Sequence, residues 1–212
     1  MAKQGYVNLL QSQKSSKKRH GDDTLMVKAR QDFLDKGYYT NLRDAIIDAV
    51  VRNTPDENAV IADLGCGECW YTERIYNALN NPTVFGIDIS KQALIAGSKR
   101  CRDLKLAVAS TADIPLSDES CDAVVCVFAP YTETEVLRIL KRGGVFIQVP
   151  IGKCLMLSPT FPPASTVRAT FTAHGAPSLL GKLSSALSYD FVIRTHLVVK
   201  ISITRFLVKR CV

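Results

Sequence analysis

Residues 61–73 read Ile61-Ala62-Asp63-Leu64-Gly65-Cys66-Gly67-Glu68-Cys69-Trp70-Tyr71-Thr72-Glu73, written IADLGCGECWYTE. An apolar run from Ala59 to Leu64 ends at one acid, breaks into Gly65-Cys66-Gly67, and passes into a segment able to start a helix. Two glycines there let the backbone turn sharply and pass close to a bulky group. A buried strand, a glycine turn and a helix form the opening unit of a βαβ fold, so this stretch decides the fold class.

Working outward, the same alternation repeats. After the strand at 59–64 comes a helix from about Tyr71 to Leu79, closed by Asn80-Asn81-Pro82. The strand TVFGIDI (83–89) leads through Ser90, an N-cap residue, into the helix KQALIAGSKRC (91–101). A third strand, LKLAVAS (104–110), precedes the loop TADIPLSDES. A fourth, AVVCVFA (123–129), is followed by a helix around EVLRILK (135–141), and Gly143-Gly144 turns into a fifth, VFIQVP (145–150). This spacing predicts an α/β fold with a doubly wound, mostly parallel, Rossmann-like sheet. Upstream, Leu25, Met26, Ala29, Phe33 and Leu34 recur at helical spacing up to Gly37. A second amphipathic helix carries Leu42, Ile46, Ala49 and Val50 and ends before Asn53-Thr54-Pro55.

Three segments follow from this reading: an N-terminal one (1–56), an α/β core (57–150), and a divergent, largely irregular tail (151–212) with one or two strands, placed within 189–208. The 212 residues suit one well-buried domain. No apolar run reaches the roughly 18 residues of a membrane span, and no secretory pattern opens the chain. Seven cysteines without framework spacing fit reduced thiols in a cytoplasmic protein. The pair Cys66 and Cys69 lacks a second ligand pair at zinc spacing, so no metal is expected. The net charge of +7 is unevenly placed: residues 1–150 hold 19 basic and 19 acidic side chains, whereas 151–212 hold eight basic ones and one acid, Asp190. Within the balanced part, Lys14, Lys17, Lys18 and Arg19 give one loop a basic face. That face suits either a solvated segment or RNA phosphate contact.

The glycine turn lacks the third glycine of a dinucleotide site and the lysine of a P-loop. Asp63, at the end of the first strand, suits a cationic amine and repels pyrophosphate. Asp88, at the end of the second, lies 21 residues beyond Gly67, where a carboxylate can accept ribose hydroxyls. Ser110 and Asp113 follow the third strand, where such folds meet an adenine. Amine, ribose and adenine together describe S-adenosyl-L-methionine. The plainer alternatives are a bare strand-to-helix turn at Gly65 and Gly67, ordinary loop acids at Asp113 and Asp118, and packing roles for Tyr39, Trp70 and Tyr71.

The series DLGCGE, GIDIS, ASTADIPLSDESCDAVV and LKRGG resembles the motifs of class I S-adenosylmethionine-dependent methyltransferases, with Lys141-Arg142-Gly143-Gly144 in place of Lys-Pro-Gly-Gly. AKQGYVNLL, the basic loop, Gly21-Asp22-Asp23, Met26, Ala29-Arg30, Phe33-Leu34-Asp35, Gly37-Tyr38-Tyr39 and Phe128-Ala129-Pro130 resemble the bacterial guanine-N1 methyltransferases of large-subunit (23S) ribosomal RNA. This likeness covers residues 2 to 150. It implies methyl transfer to guanine N1 and ribosomal RNA as partner. It places Tyr39, Gly67 and Glu68 on the donor, Asp88 on the ribose, and Ala129 and Pro130 in the acceptor pocket, and it leaves the general base unassigned.

Three departures stand against it. The family's N-terminal four-ligand zinc module has no counterpart here. Cys154 stands where the family shows a histidine. Beyond Met156 the likeness ends in a Ser/Thr/Pro-rich, acid-poor tail. Residues from about 151 onward therefore read as a non-ancestral C-terminus of the kind a shifted reading frame produces. The encoding DNA would then hold a family-like continuation in another frame. The expected cost is an uncovered sheet edge and poor turnover. A small-molecule methyltransferase and a non-catalytic remnant that binds the donor or RNA are the competing readings.

Overall fold

The computed structural model describes residues 5–10 and 21–150, and the backbone of 155–156, 169–172, 182–193 and 197–208. In chain order, β1 is Tyr6–Asn8, α1 Thr24–Leu34, α2 Thr40–Asn53, β2 Val60–Leu64, α3 Trp70–Ala78, β3 Thr83–Asp88, α4 Lys91–Arg100 and β4 Lys105–Val108. Then come β5 Cys121–Val127, α5 Glu133–Ile139, β6 Leu140–Val149, β7 Leu155–Met156, β8 Ala169–Thr172, β9 Lys182–Ile193 and β10 Leu197–Val208.

The sheet runs β1-β4-β3-β2-β5-β6-β10-β9-β8. Strands β1 to β6 pair in parallel throughout. The chain winds from β2 outward to β3 and β4, then crosses back to lay β5 on the other side of β2. Connections therefore diverge between β2 and β5, and loops there leave a crevice at the strands' carboxyl ends. Ile61 and Ala123 belong to a core shared with α2, while Ala62, Leu64 and Val124 face the layer under α5. Alternating residues of one strand thus feed two cores, the mark of a sheet covered on both faces.

Helix α2 buries Leu42, Ile46, Ala49 and Val50, the stripe its sequence shows. Helix α1 differs from expectation. It buries Val27 and Leu34, whereas Leu25, Met26 and Phe33 are largely exposed and Ala29 is exposed too. The periodicity is real but only one edge of the helix packs, leaving Phe33 to line a cavity. Asp23 caps α1 by accepting from Met26 N–H at 2.9 Å. Gly37, at φ +77°, turns the chain toward α2. Helix α5 ends at Ile139, before the expected Lys141, and β6 already begins at Leu140. Lys141 reaches back to both oxygens of Asp122, which also accepts from Val60 N–H at 2.8 Å. That staple ties β2, β5 and β6 together at their amino ends, away from the crevice.

In the tail, β9 and β10 pair antiparallel along twelve residues, and β10 runs antiparallel to β6 with Arg205 opposite Val145. The β6 edge, expected to lie open, is thus paired. The stretch 189–208 falls within these two strands apart from 194–196, which lie outside the described residues. The basic loop 14–19 and Cys154 also lie outside them.

Candidate functional site

At the carboxyl ends of β2 to β5 lies a cavity of about 530 Å³. Of the residues expected at the donor or acceptor, Tyr39, Asp63, Gly65, Gly67, Glu68, Asp88, Ser110, Ala129 and Pro130 all line it. Asp113 does not: its side chain is exposed and its N–H turns back to the Ser110 carbonyl. Asp118 is likewise a structural acid. Together with the carbonyls of Ile114 and Leu116 it accepts from Arg138, which pins the 114–118 loop.

The glycine bend is built for close approach. Gly65 sits at φ +72°, and a Cβ there would lie 2.2 Å from the Ala129 Cβ, so only glycine lets the loop after β2 rest on the loop after β5. The third glycine absent from the motif is replaced by another contact. Cys69, in the left-handed region at φ +63°, starts α3, and its sulfur fills the notch at Gly97 of α4. A side chain on Gly97 would meet that sulfur at 2.4 Å, so α4 supplies the closeness the turn does not.

The two acids sit on the same side of the sheet, as a common ligand requires. Asp63 is almost fully buried and accepts from Thr72 Oγ1 at 2.6 Å. Burial pushes its carboxyl up to about 7; the Thr72 hydroxyl opposes that rise, and the neighbouring Asp88 adds to it. Asp88 accepts from Gly67 N–H at 2.9 Å on one oxygen and from Ser90 N–H at 2.7 Å on the other. Burial raises its pKa while these two donors hold it down. Each oxygen keeps a further lone pair, so the carboxylate is oriented and still able to accept ribose hydroxyls.

Glu68 is tied to Arg100, whose Nε donates to Oε2 at 2.7 Å and whose far nitrogen reaches Asp35 at 3.0 Å. Burial raises the Glu68 pKa and Arg100 counters it. Among the described residues, two buried polar atoms of cavity-lining side chains lack a hydrogen-bond partner, Glu68 Oε1 and the Tyr71 hydroxyl. Orphaned groups of this kind fit a site completed by a polar ligand. The adenosyl donor, with its ammonium, carboxylate and ribose, is chemically suited to these residues. Cys66 lines the cavity 3.9 Å from the Cys69 sulfur, and burial pushes its thiol well up, away from nucleophilic use. Among the described residues no cluster of His, Cys, Asp and Glu is arranged to hold a metal ion, and no helix is long and apolar enough to cross a membrane.

Sequence reasoning missed the wall formed by the N-terminal segment. Gly21 and Asp22 line the cavity, with Gly21 flush against Ser90, where a Cβ would meet the backbone at 2.8 Å. Ser90 Oγ donates to the Asp22 carbonyl at 2.6 Å, and Arg30 of α1 pairs with the Asp22 carboxylate. Only the run Gly-Asp-Asp hinted at this, since a glycine before a helix cap signals a tight approach. Trp70 and Tyr71 pack edge to face at 4.9 Å, the Arg43 guanidinium lies 4.8 Å over the Trp70 ring, and both aromatic side chains also line the cavity.

Comparison with known proteins places the fold. Residues 61–144 match the model of a methyltransferase domain family. Over 154 residues the chain is 32% identical to the 23S rRNA (guanine(748)-N(1))-methyltransferase of Streptomyces fradiae. It is 31% identical over 154 residues to YxjB of Bacillus subtilis strain 168, named as a candidate 23S rRNA (guanine-N(1)-)-methyltransferase. Each alignment takes in 70% of this chain and 53% of the relative, so the chain spans about half the length of the curated relatives it matches. A solved structure, named as a candidate S-adenosyl-L-methionine-dependent methyltransferase of Methanococcus maripaludis, superposes with TM-score 0.54 at 17% identity. It covers 64% of this chain and 67% of that one, a likeness of fold. Residues 61–144 are thus similar to a methyltransferase domain, the Rossmann-like sheet has the fold of that solved structure, and the relatives bear the names the motifs suggested.

Proposed function

We propose that this chain binds S-adenosyl-L-methionine in the cavity between β2 and β5 and methylates N1 of a guanine in large-subunit ribosomal RNA. One observation carries the donor half: Asp63 and Asp88, brought from two strands to either side of the glycine bend, line a single cavity at the switch point. A cationic donor is favoured beside buried carboxylates, and the closely related pyrophosphate cofactors are disfavoured there. The relatives' names support the acceptor half.

The donor supplies a methyl group on a sulfonium, a leaving group that departs as a neutral thioether. The protein's part is to hold the reactants in line: Asp88 takes the ribose, Asp63 faces the ammonium, and the Gly65–Ala129 contact sets the gap between donor and acceptor loops. Positioning of this kind supplies much of the rate in a transfer between two bound groups. As the N1–CH3 bond forms, the sulfonium S–CH3 bond breaks, S-adenosylhomocysteine is left, and the N1–H proton passes to solvent water.

The test is direct. Purified protein is incubated with methyl-labelled donor and undermodified ribosomal RNA, and label is mapped by nuclease digestion and mass spectrometry; S-adenosylhomocysteine binding is followed by calorimetry. Label on guanine N1 is expected. Label confined to a small-molecule pool would replace the acceptor with a metabolite. Binding without any transfer would leave a donor-binding remnant.

A further inference from the structure

The cavity wall is chemically divided. Its acids are Asp63 and Asp88 at the carboxyl ends of β2 and β3, Glu68 in the bend after β2, and Asp22 on the N-terminal approach to α1. Another part is uncharged, built from Phe33, Leu34, Tyr39, Phe128, Ala129 and Pro130, and Arg30 beside it is paired with Asp22. The aromatic rings of that uncharged part form a chain that extends to Tyr38 outside the cavity. Phe33 lies 5.1 Å from Tyr38 and 5.6 Å from Tyr39, and Tyr39 meets Phe128 edge to face at 5.8 Å. Such a row looks like a small core, yet Phe33 is 45% exposed and Phe128 39%. Large rings bury their faces where they can, so half-open rings lining a cavity are poised for an occupant.

Phe128 adds a second, independent observation. It is a non-glycine residue in the left-handed region, at φ +53°. A bulky side chain pays for that conformation, on the order of 1–2 kcal/mol, and it persists only when the surroundings enforce it. They do so at three points. Phe128 N–H donates to the Val149 carbonyl at 2.9 Å, the Cys126 thiol reaches the Ala129 carbonyl at 3.2 Å, and Thr111 Oγ1 donates to the Pro130 carbonyl at 3.0 Å. Glycine or asparagine would hold the same turn with less strain. The ring is therefore kept for something other than the turn.

We propose that Phe128 is the stacking platform of the acceptor site: a purine base enters past Phe33 and lies on the Phe128 ring, beside the Gly65–Ala129 contact. This rests on the methyltransferase reading, because the platform is only useful with a donor seated across the gap. Arg30, which also lines the cavity, is paired with Asp22, so the part built from Phe33, Tyr39, Phe128, Ala129 and Pro130 carries no charge of its own, which suits a neutral planar acceptor. A π-face also tolerates any approach of the base edge, leaving N1 free to point at the donor. Phe128 and Phe33 act as positioning residues; the stacked base holds N1 in line.

The experiment uses full-length protein labelled with 4-fluorophenylalanine and loaded with S-adenosylhomocysteine. Fluorine spectra are recorded while guanosine 5′-monophosphate, and separately an undermodified ribosomal RNA hairpin, are added. The Phe128→Leu variant assigns the resonance. A ring-current shift of the position-128 signal with both probes is expected. Phe128→Gly relieves the positive φ, so it folds, binds S-adenosylhomocysteine as the wild type does, and raises KM for RNA about 10- to 100-fold with a smaller change in kcat. Phe128→Tyr restores most of the affinity. A shift with the nucleotide but no methylation of RNA sinks the ribosomal acceptor and keeps the platform. RNA methylated normally by Phe128→Gly, an unmoved position-128 resonance with both probes, or an equal loss of donor affinity would each overturn it.

Discussion

Replacing Asp63 by asparagine separates what that residue costs the fold from what it provides to the ligand. In the ligand-free protein its carboxyl is buried and its pKa stands at about 7 against an ordinary 3.8. A raised folded-state pKa means the native state holds the proton more tightly than the unfolded chain. Its contribution to stability is therefore fully present below pH 3.8 and is lost as pH rises through 7. About three pK units at 1.36 kcal/mol each give a handicap of about 4 kcal/mol once the group is ionised, and about 2 kcal/mol at pH 5. Asp63→Asn keeps an oxygen for the Thr72 hydroxyl and never ionises. Urea unfolding without ligand should show the variant gaining on the wild type by about 2 kcal/mol between pH 5 and pH 8. The same variant should bind S-adenosylhomocysteine about 10-fold or more weakly at pH 8, because the carboxylate facing the ammonium is gone. A stability difference that stays flat across that pH range would refute the burial argument. Unchanged affinity would remove Asp63 from the donor site.

Other expectations follow from individual contacts. Gly65→Ala adds a Cβ 2.2 Å from that of Ala129 at a φ of +72°, so it should cost about 2–5 kcal/mol by thermal denaturation and abolish detectable donor binding. Arg100→Ala strips the partner from a Glu68 that is 1% exposed and should destabilise by about 3 kcal/mol, with Glu68→Gln in the same background recovering much of it in chemical denaturation. Asp113→Asn should leave calorimetric donor affinity within about two-fold of wild type, since the side chain is exposed and outside the cavity; a loss above 10-fold would put it back in the site.

The elements legible in advance were those whose signal is local. Alternation of apolar runs with helical spacing, Ser90 as a cap, the four buried positions of α2 and the sharp bend at Gly65 each depend on a few neighbouring residues. Acids at the ends of β2 and β3 could be placed on one ligand because parallel strands deliver their carboxyl ends to one edge of a sheet. Long-range packing decided the rest. Asp22 meets Ser90 across 68 residues, and Arg100 meets Glu68 across 32. Nothing in either segment alone marks its partner, because a hydrogen bond between distant segments exists only after the sheet has aligned them. For the same reason α1 shows an apolar stripe that it does not bury, and Phe33 and Phe128 become neighbours of one cavity only in three dimensions. The sequence by itself thus determined the layers, the glycine bend and the acids beside it, since period and backbone freedom are local properties. Tertiary structure alone decided which side chains close the cavity and that Asp113 does not, since burial belongs to the assembled sheet.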